Sequence, residues 1–530
     1  MVGGALLHVP HPHEPRRAAE AEGTPARINP TAVLVTSCAT LFMIGVNTTA
    51  INTALNGIAE DLGMGSSELA WAVGIYLLAA SAFLVVGGRL GDMLGEQRVL
   101  LAGLTVFSVA ALVIALADAA WVVIAGRFGQ GLAAAIMMPA TMALLRLAYP
   151  PERQGFALGI WGAVGGLAFA LGPLIGGVLT DEASWRWVWW GSVAWAGMLI
   201  WASLTTLREM PRPSERERFD FAGAALLAVA LFALILAIQQ GPVWGWGSPG
   251  VIAAFAAAVG GLAALVAVET RLEHPILHLR LLRIPALAAA NLGTFINAIF
   301  LIGVLYFFNL YAQAVVALDY SALGASVALL PYGACVFAAS LVSGRVCDRM
   351  GFRWPIAAGL VLMGVAGLIF SRVDAGSDYG DLWLPTVVVG IGVGITFSAP
   401  SAAGLRSVPG EQAGEASGII NVVRYLGAAL VVALGTVFYV SVGSDDLNRS
   451  LSRAGIATQE RDTLDHTLTG APSQVRAAEA QLDERDRRAY EAGAADGVAG
   501  GFAAVMLGIG ILSLASALLW VVLMRPARGP

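Results

Sequence analysis

The feature that most limits the fold is a series of about fourteen apolar segments, each close to 20 residues long and bounded by Pro, Gly or charge. A helix needs about 20 mostly apolar residues to cross the hydrocarbon core, and backbone polar groups in lipid must be satisfied inside the element itself. The segments run near 31–57, 67–88, 98–117, 120–147, 154–179, 187–207, 220–239, 250–269, 286–314, 321–344, 354–371, 382–404, 413–440 and 498–523. Only 13% of the 530 residues are charged and 57% are hydrophobic, against about 25% charge in soluble chains. The chain therefore reads as an all-α polytopic membrane protein with about 14 transmembrane helices.

Arginine sets the expected orientation, because positive charge stays on the cytoplasmic side. The N-terminal segment, the even-numbered turns and the C-terminal segment hold twenty Arg; the short turns of the other face hold Arg186 and Arg372. Both termini are expected in the cytoplasm, with the protein in the cell inner (plasma) membrane. The polar stretch 441–497 then becomes a long extracellular loop, and its run QVRAAEAQLDERDRRAYEA could form a short exposed helix.

Composition also excludes function classes. All 31 basic residues are Arg, so the Lys of an ATP-type phosphate-binding loop is missing and no nucleotide is expected. The net charge of -5 comes with no basic stripe for nucleic acid. Cys38, Cys335 and Cys347 are unpaired in spacing and read as small buried hydrophobes. There is no deep His/Cys/carboxylate cluster for a metal and no nucleophile elbow. No cofactor and no enzymatic activity are expected.

The chain repeats itself. GRLGDMLG at 88–95 returns as GRVCDRMG at 344–351, 256 positions later. GQG at 129–131 precedes Pro139 as GIG at 390–392 precedes Pro400, 261 positions apart. Two landmarks with nearly one period point to two six-helix repeats with two inserted central helices. The expected division is a disordered tail over 1–30, a six-helix bundle over 31–207, a linker with two extra helices over 208–285, a second bundle over 286–523 and a tail over 524–530. Repeats of this kind mark secondary transporters, with the substrate between the halves.

Several motifs, in order, carry a resemblance: GRLGDMLGEQR at 88–98, RFGQG at 127–131, GPLIGG at 172–177, SWRWVWW at 184–190, and FDFAGAALL at 219–227 followed by GPVWGW at 241–246. The chain resembles the fourteen-helix drug:proton antiporters of the major facilitator superfamily, multidrug efflux permeases. The resemblance covers about 31–440 and 498–523. It implies a conformational latch at Gly88, Arg89, Asp92, Gly95 and Arg98, repeated at Gly344, Asp348 and Arg349. It implies an antiporter motif in the fifth helix, with a bend and a closed contact between the halves, at Gly162, Gly166, Gly172, Pro173, Gly176 and Gly177. It also implies a part in proton transfer for Arg127, and it matches Arg424 to a second family arginine.

The residues carry their own physics. Gly162/Gly166 and Gly172/Gly176 are GxxxG pairs, which let backbones approach closely, and Pro173 removes a helix hydrogen bond. Asp92 can sit near the start of another helix, stabilised by its dipole, or in a solvated turn. Arg127 is a charge at depth; it is either functional or snorkels to the outer interface. Gln130 could hydrogen-bond across an interface. Tyr76, Asn297, Asn309, Tyr311 and Gln313 either line a cavity or stitch helices together. Glu96 and Gln97 stand where the family usually has basic residues.

One residue departs from the pattern. Related chains carry an Asp in helix 1; here Asn47 holds that place, within GVNTTAINTAL. Its helical position, away from Thr48, Asn52 and Asn56, suggests that it faces the cavity. With no carboxylate deep in a span, Arg127 and Arg424 are the only deep charges. A lipophilic cation would meet like charge; a neutral or anionic substrate fits better. The expectation is a secondary active exporter of hydrophobic, drug- or antibiotic-type small molecules, working by alternating access and coupled to protons. The rivals are an uncoupled facilitator or importer of the same fold and a membrane sensor without transport.

Overall fold

The computed structural model describes residues 29–64, 66–207, 220–270, 280–320, 322–409, 412–454 and 482–524. The expected tails, the middle of the 441–497 stretch and parts of the linker lie outside these. Among the described residues the chain forms fifteen α-helices and one 3₁₀ turn, Leu281–Arg283. The first six are α1 Pro30–Leu62, α2 Ser66–Leu94, α3 Glu96–Ala115, α4 Ala120–Ala148, α5 Pro151–Glu182 and α6 Arg186–Thr206. Next come α7 Phe221–Trp244 and α8 Pro249–Glu269. The remainder are α9 Pro285–Gln313, α10 Ala322–Ala328, α11 Leu330–Met350, α12 Arg353–Phe370, α13 Tyr379–Arg406, α14 Ala413–Ala454 and α15 Glu484–Leu523.

Among the described residues, thirteen segments are long and apolar enough to cross a membrane, α10 and α11 jointly forming one. α6 corresponds to the remaining expected segment, 187–207; its mean hydropathy is lowered by five Trp (187, 189, 190, 195 and 201). Its 21 residues span about 31 Å, and it packs along α3 and α1. Local sequence explains the boundaries. Asn29 accepts from the backbone N–H groups of Thr31 and Ala32 ahead of Pro30, an N-cap followed by a proline that needs no donor. Gly63 ends α1 in the left-handed region, φ 63°. Pro331, which cannot donate a helix hydrogen bond, follows the break at Leu329 that divides the expected single span 321–344 into α10 and α11.

The repeat is visible in packing. α1 packs on α5 as α9 does on α14, α2 on α4 as α11 on α13, and α3 on α6 as α12 on α15. The two sets meet along α2/α14 and α5/α11. The inserted α7 pairs with α8 and lies against both α2 and α14, with Ile235 and Ile238 buried beside Ile75, Leu78 and Ala433.

The expected loop 441–497 needs correction. α14 continues to Ala454 and α15 begins at Glu484, so helix replaces loop at both ends. At 42 residues α14 reaches about 63 Å, twice the hydrocarbon thickness of about 30 Å. The extensions pack as a hairpin: Leu447, Leu451 and Tyr490 are buried, and Ser450 Oγ donates to the Ala489 carbonyl at 2.9 Å. On the same far face Asp61 pairs with Arg186 and accepts from Trp185 Nε1 at 3.0 Å. The Arg186 guanidinium holds the Asp61 carboxyl below its ordinary value. This tie is present at neutral pH and is lost as pH falls through that lowered value; as an exposed pair it stabilises by less than about 1 kcal/mol.

Candidate functional site

A buried polar cluster joins α1, α2, α4 and α6. Arg127 is fully buried, so it does not snorkel. Its Nε donates to the Ala72 carbonyl at 3.2 Å, and its Nη1 donates to the Asn47 carbonyl at 3.2 Å and to Gln130 Oε1 at 3.1 Å. Its Cζ stands 4.3 Å from the centre of the Tyr76 ring, a cation–π contact. Gln130 Nε2 donates to Asn47 Oδ1 at 3.3 Å, Ser192 Oγ lies 3.0 Å from the same oxygen, and Asn47 Nδ2 donates to the Met43 carbonyl. Tyr76 is hydrogen-bonded to Thr48 Oγ1 at 3.1 Å.

Asn47 therefore corrects the expectation of a cavity-facing residue. It is 4% exposed and is turned into its own half, between α4 and α6. Both faces of GVNTTAINTAL that carry described side chains are satisfied: Thr48 on α2, Asn47 on α4 and α6, and Thr49 on the Phe169 carbonyl of α5. Ser192 and Trp189, which lies 3.4 Å from Gln130 Oε1 through Nε1, belong to the cluster and were not anticipated. Trp189 lies within the SWRWVWW motif, which held the signal for it; Ser192 lies two residues beyond that motif.

In the second half the anticipated residues separate. Arg424, 7% exposed, donates through Nη2 to the Phe397 carbonyl at 3.2 Å and to Ser401 Oγ at 3.3 Å. Asn297 is buried and stitches α9 to α13, donating to the Val393 carbonyl and Thr396 Oγ1. Asn309 and Gln313 bond to one another along α9. Tyr311 donates to the Ser377 carbonyl near the far face. Among the described residues, no carboxylate hydrogen-bonds or ion-pairs with Arg127 or Arg424. Arg127 Nη2 and Arg424 Nε and Nη1 have no protein partner. A buried charge without a counter-ion costs several kcal/mol, so both positions retain strong attraction for negative charge.

The halves close on one another at the face where α1 begins and α15 ends, here termed the terminal face. Asp92, near the end of α2, accepts from the backbone N–H groups of Gly414 and Glu415 in the first turn of α14, both at 2.9 Å. Asp348, at the matching place in α11, accepts from the Phe156 N–H of α5 at 2.9 Å. Each carboxylate thus sits at the N-terminal part of a helix of the other half, where the dipole favours it. A Cβ on Gly88 would press into the Gly414 carbonyl, and one on Gly344 into the Gly155 carbonyl. Gly95 and Gly351, 256 positions apart, turn the chain at φ 91° and 77°, which side chains other than glycine disfavour. Arg98 is exposed. Arg349, also exposed, lines a cavity of about 800 Å³ with Arg153 and Arg345.

The receiving glycines carry a third repeat: ERQGFALG at 152–159 and EQAGEASG at 411–418, 259 positions apart. The fifth-helix glycines divide. Gly162 and Gly166 face the other half, against Phe397 and Ser340 and against Val336. Gly172 and Gly176 face α1 of their own half, at Thr49, Ala50 and Thr53; this corrects the expectation that the whole motif closes the halves. Gly177 only touches Thr53, at 4.0 Å. Pro173 lies inside α5, which continues to Glu182.

Comparison with known proteins agrees with this architecture. The sequence profile of the Major Facilitator Superfamily matches residues 37–432. The chain is 30% identical over 433 residues to the tetracenomycin C resistance and export protein of Streptomyces glaucescens, covering 81% of this chain and 80% of that one. It is 32% identical over 408 residues to the multidrug resistance protein Stp of Mycobacterium tuberculosis, covering 75% and 74%. The fold is similar to that of the human organic anion transporter MFSD10, at a TM-score of 0.58 and 14% identity, over 94% of this chain and 100% of that one. With its ordered motifs, paired six-helix sets and reciprocal carboxylate contacts, the chain belongs to the major facilitator superfamily.

Proposed function

We propose that this protein exports hydrophobic, drug-type small molecules by alternating access, coupled to inward movement of protons, and that it takes neutral or anionic substrates in preference to cations. The two relatives are named for resistance, one of them also for export, and their names motivate the transport direction. The observation that carries the substrate preference is the charge balance: one buried arginine in each half, neither with a carboxylate contact among the described residues. A substrate cation about 4 Å from such a guanidinium meets about 4 kcal/mol of repulsion at an effective dielectric of 20. An anion meets the same magnitude as attraction. The arginine count supports a cytoplasmic terminal face, and on that reading the state described here is closed to the cytoplasm.

Asn47→Asp tests the preference. Asn47 Oδ1 is bonded to Gln130, itself bonded to Arg127, so a carboxylate there would neutralise the guanidinium. Ethidium export by the variant should rise at least about tenfold over the parent, the equivalent of about 1.4 kcal/mol, when measured with purified protein in proteoliposomes. Unchanged ethidium transport would remove Arg127 as the source of the preference. An uncoupled facilitator is the second reading, favoured by the amide at Asn47 where the family resemblance expects an acid. Transport that ignores an imposed pH gradient would select it.

A further inference from the structure

The two contacts between the halves share one backbone plan but differ in charge. At α11 the carboxylate is matched: Arg406 Nη2 donates to Asp348 Oδ1 at 2.6 Å, and the Phe352 ring lies 4.8 Å from that guanidinium. At α2 the equivalent of Phe352 is Glu96, 256 positions earlier, and the equivalent of Phe156 is Glu415, 259 positions later. The equivalent of Arg406 is Arg146, which donates instead to the Val408 carbonyl at 2.6 Å. Glu96 and Glu415 lie at helix starts, yet they are 6% and 0% exposed.

Asp92 is thus approached from every side by titratable or charged groups: Arg89 on its own helix, Glu96 of α3, Arg146 of α4 and Glu415 of α14. The Glu96 carboxyl lies over Gly91, in the space a Cβ there would occupy. Its Oε2 is buried without a hydrogen-bond partner. Asp92 accepts two N–H groups at a helix start, a role that suits the ionised form. A second ionised carboxylate beside it, dry and without a donor, would be repelled by like charge and stripped of its hydration. A protonated Glu96 avoids both costs.

We propose that Glu96, beside Asp92, forms a proton-binding site at the α2/α14 contact, which takes up one proton as the terminal face closes and releases it as that face opens. The α5/α11 contact, with Phe352 and an arginine-paired Asp348, lacks this property. The proposal rests on the alternating-access part of the function given above, and on no substrate identity. Its sign follows from linkage: the closed state binds the extra proton, so lower pH favours closure.

The test uses the full chain in lipid nanodiscs, with the three native cysteines replaced and spin labels on Leu94→Cys of α2 and Met350→Cys of α11, both exposed positions. The closed-to-open ratio of the parent should rise as pH falls from 8 to 5.5, by at most about tenfold per pH unit, the limit for one proton. Glu96→Gln should stay closed and lose that dependence. If it folds poorly, Glu96→Phe, which copies the second repeat, serves in its place. A pH dependence that persists unchanged in either variant overturns the proton site alone. An inter-label distance that never changes, in parent or variant, overturns alternating access along with it.

Discussion

Gly88→Val and Gly344→Val should each abolish export while the protein still accumulates in the membrane. Neither glycine is needed for an unusual backbone angle; both sit inside helices. They are needed because the helices touch backbone to backbone. A Cβ on Gly88 would stand 2.7 Å from the Gly414 carbonyl carbon, and one on Gly344 would stand 2.9 Å from that of Gly155. The opposing atoms are main chain and cannot rotate away. Overpacking of this kind costs about 3 kcal/mol, and it acts on the closed state only, so the closed-to-open ratio falls roughly a hundredfold. Reactivity of Ser417→Cys, buried in α14, reports the state. Maleimide should label it slowly in the parent and rapidly in both valine variants. Slow labelling combined with lost export would mean that the glycines serve folding rather than closure.

Arg127 should produce the other large effect. Its guanidinium ties together the Ala72 carbonyl of α2, the Asn47 carbonyl of α1 and Gln130 of α4. Arg127→Leu removes one charged hydrogen bond from each of these three buried acceptors, two of which keep their helix partners and the third its contact with Trp189, at about 1.5 kcal/mol each, and should lower the melting temperature as well as export. Arg127→Lys keeps the charge but not the planar fork. It should fold, retain some export, and lose at least about tenfold in transport of a lipophilic anion, because one ammonium cannot hold three acceptors and attract substrate. Thermal unfolding in detergent beside anion transport in proteoliposomes separates the two variants. Equal transport by the lysine variant and the parent would confine Arg127 to a structural role.

The sequence made the membrane-spanning pattern, the two-fold repeat and the helix-start position of Asp92 legible, because each depends on spacing along one chain. Rotation of each helix was harder to read. α1 carries Asn, Thr and Gly on more than one side, and helical wheel geometry alone could not say that Asn47 turns inward to Gln130 and Ser192. The same problem divided the fifth-helix glycines, which lie on two faces of an almost wholly apolar helix. Glu96 and Glu415 stand at helix starts, and nothing in their local sequence marks them as buried. Their burial comes from the other half closing over them, a tertiary effect that no local window contains. The repeat ERQGFALG/EQAGEASG would have exposed it, since it marks the two surfaces that receive Asp348 and Asp92.

The central claim is an exporter whose unpaired buried arginines select against cations. The most direct measurement is transport by purified protein in proteoliposomes under an imposed proton gradient, comparing ethidium with a lipophilic anion such as anilinonaphthalene sulfonate. The account predicts gradient-dependent anion transport accompanied by proton counterflow, and ethidium transport no greater than in protein-free vesicles. Strong gradient-driven ethidium transport with little anion transport would contradict it.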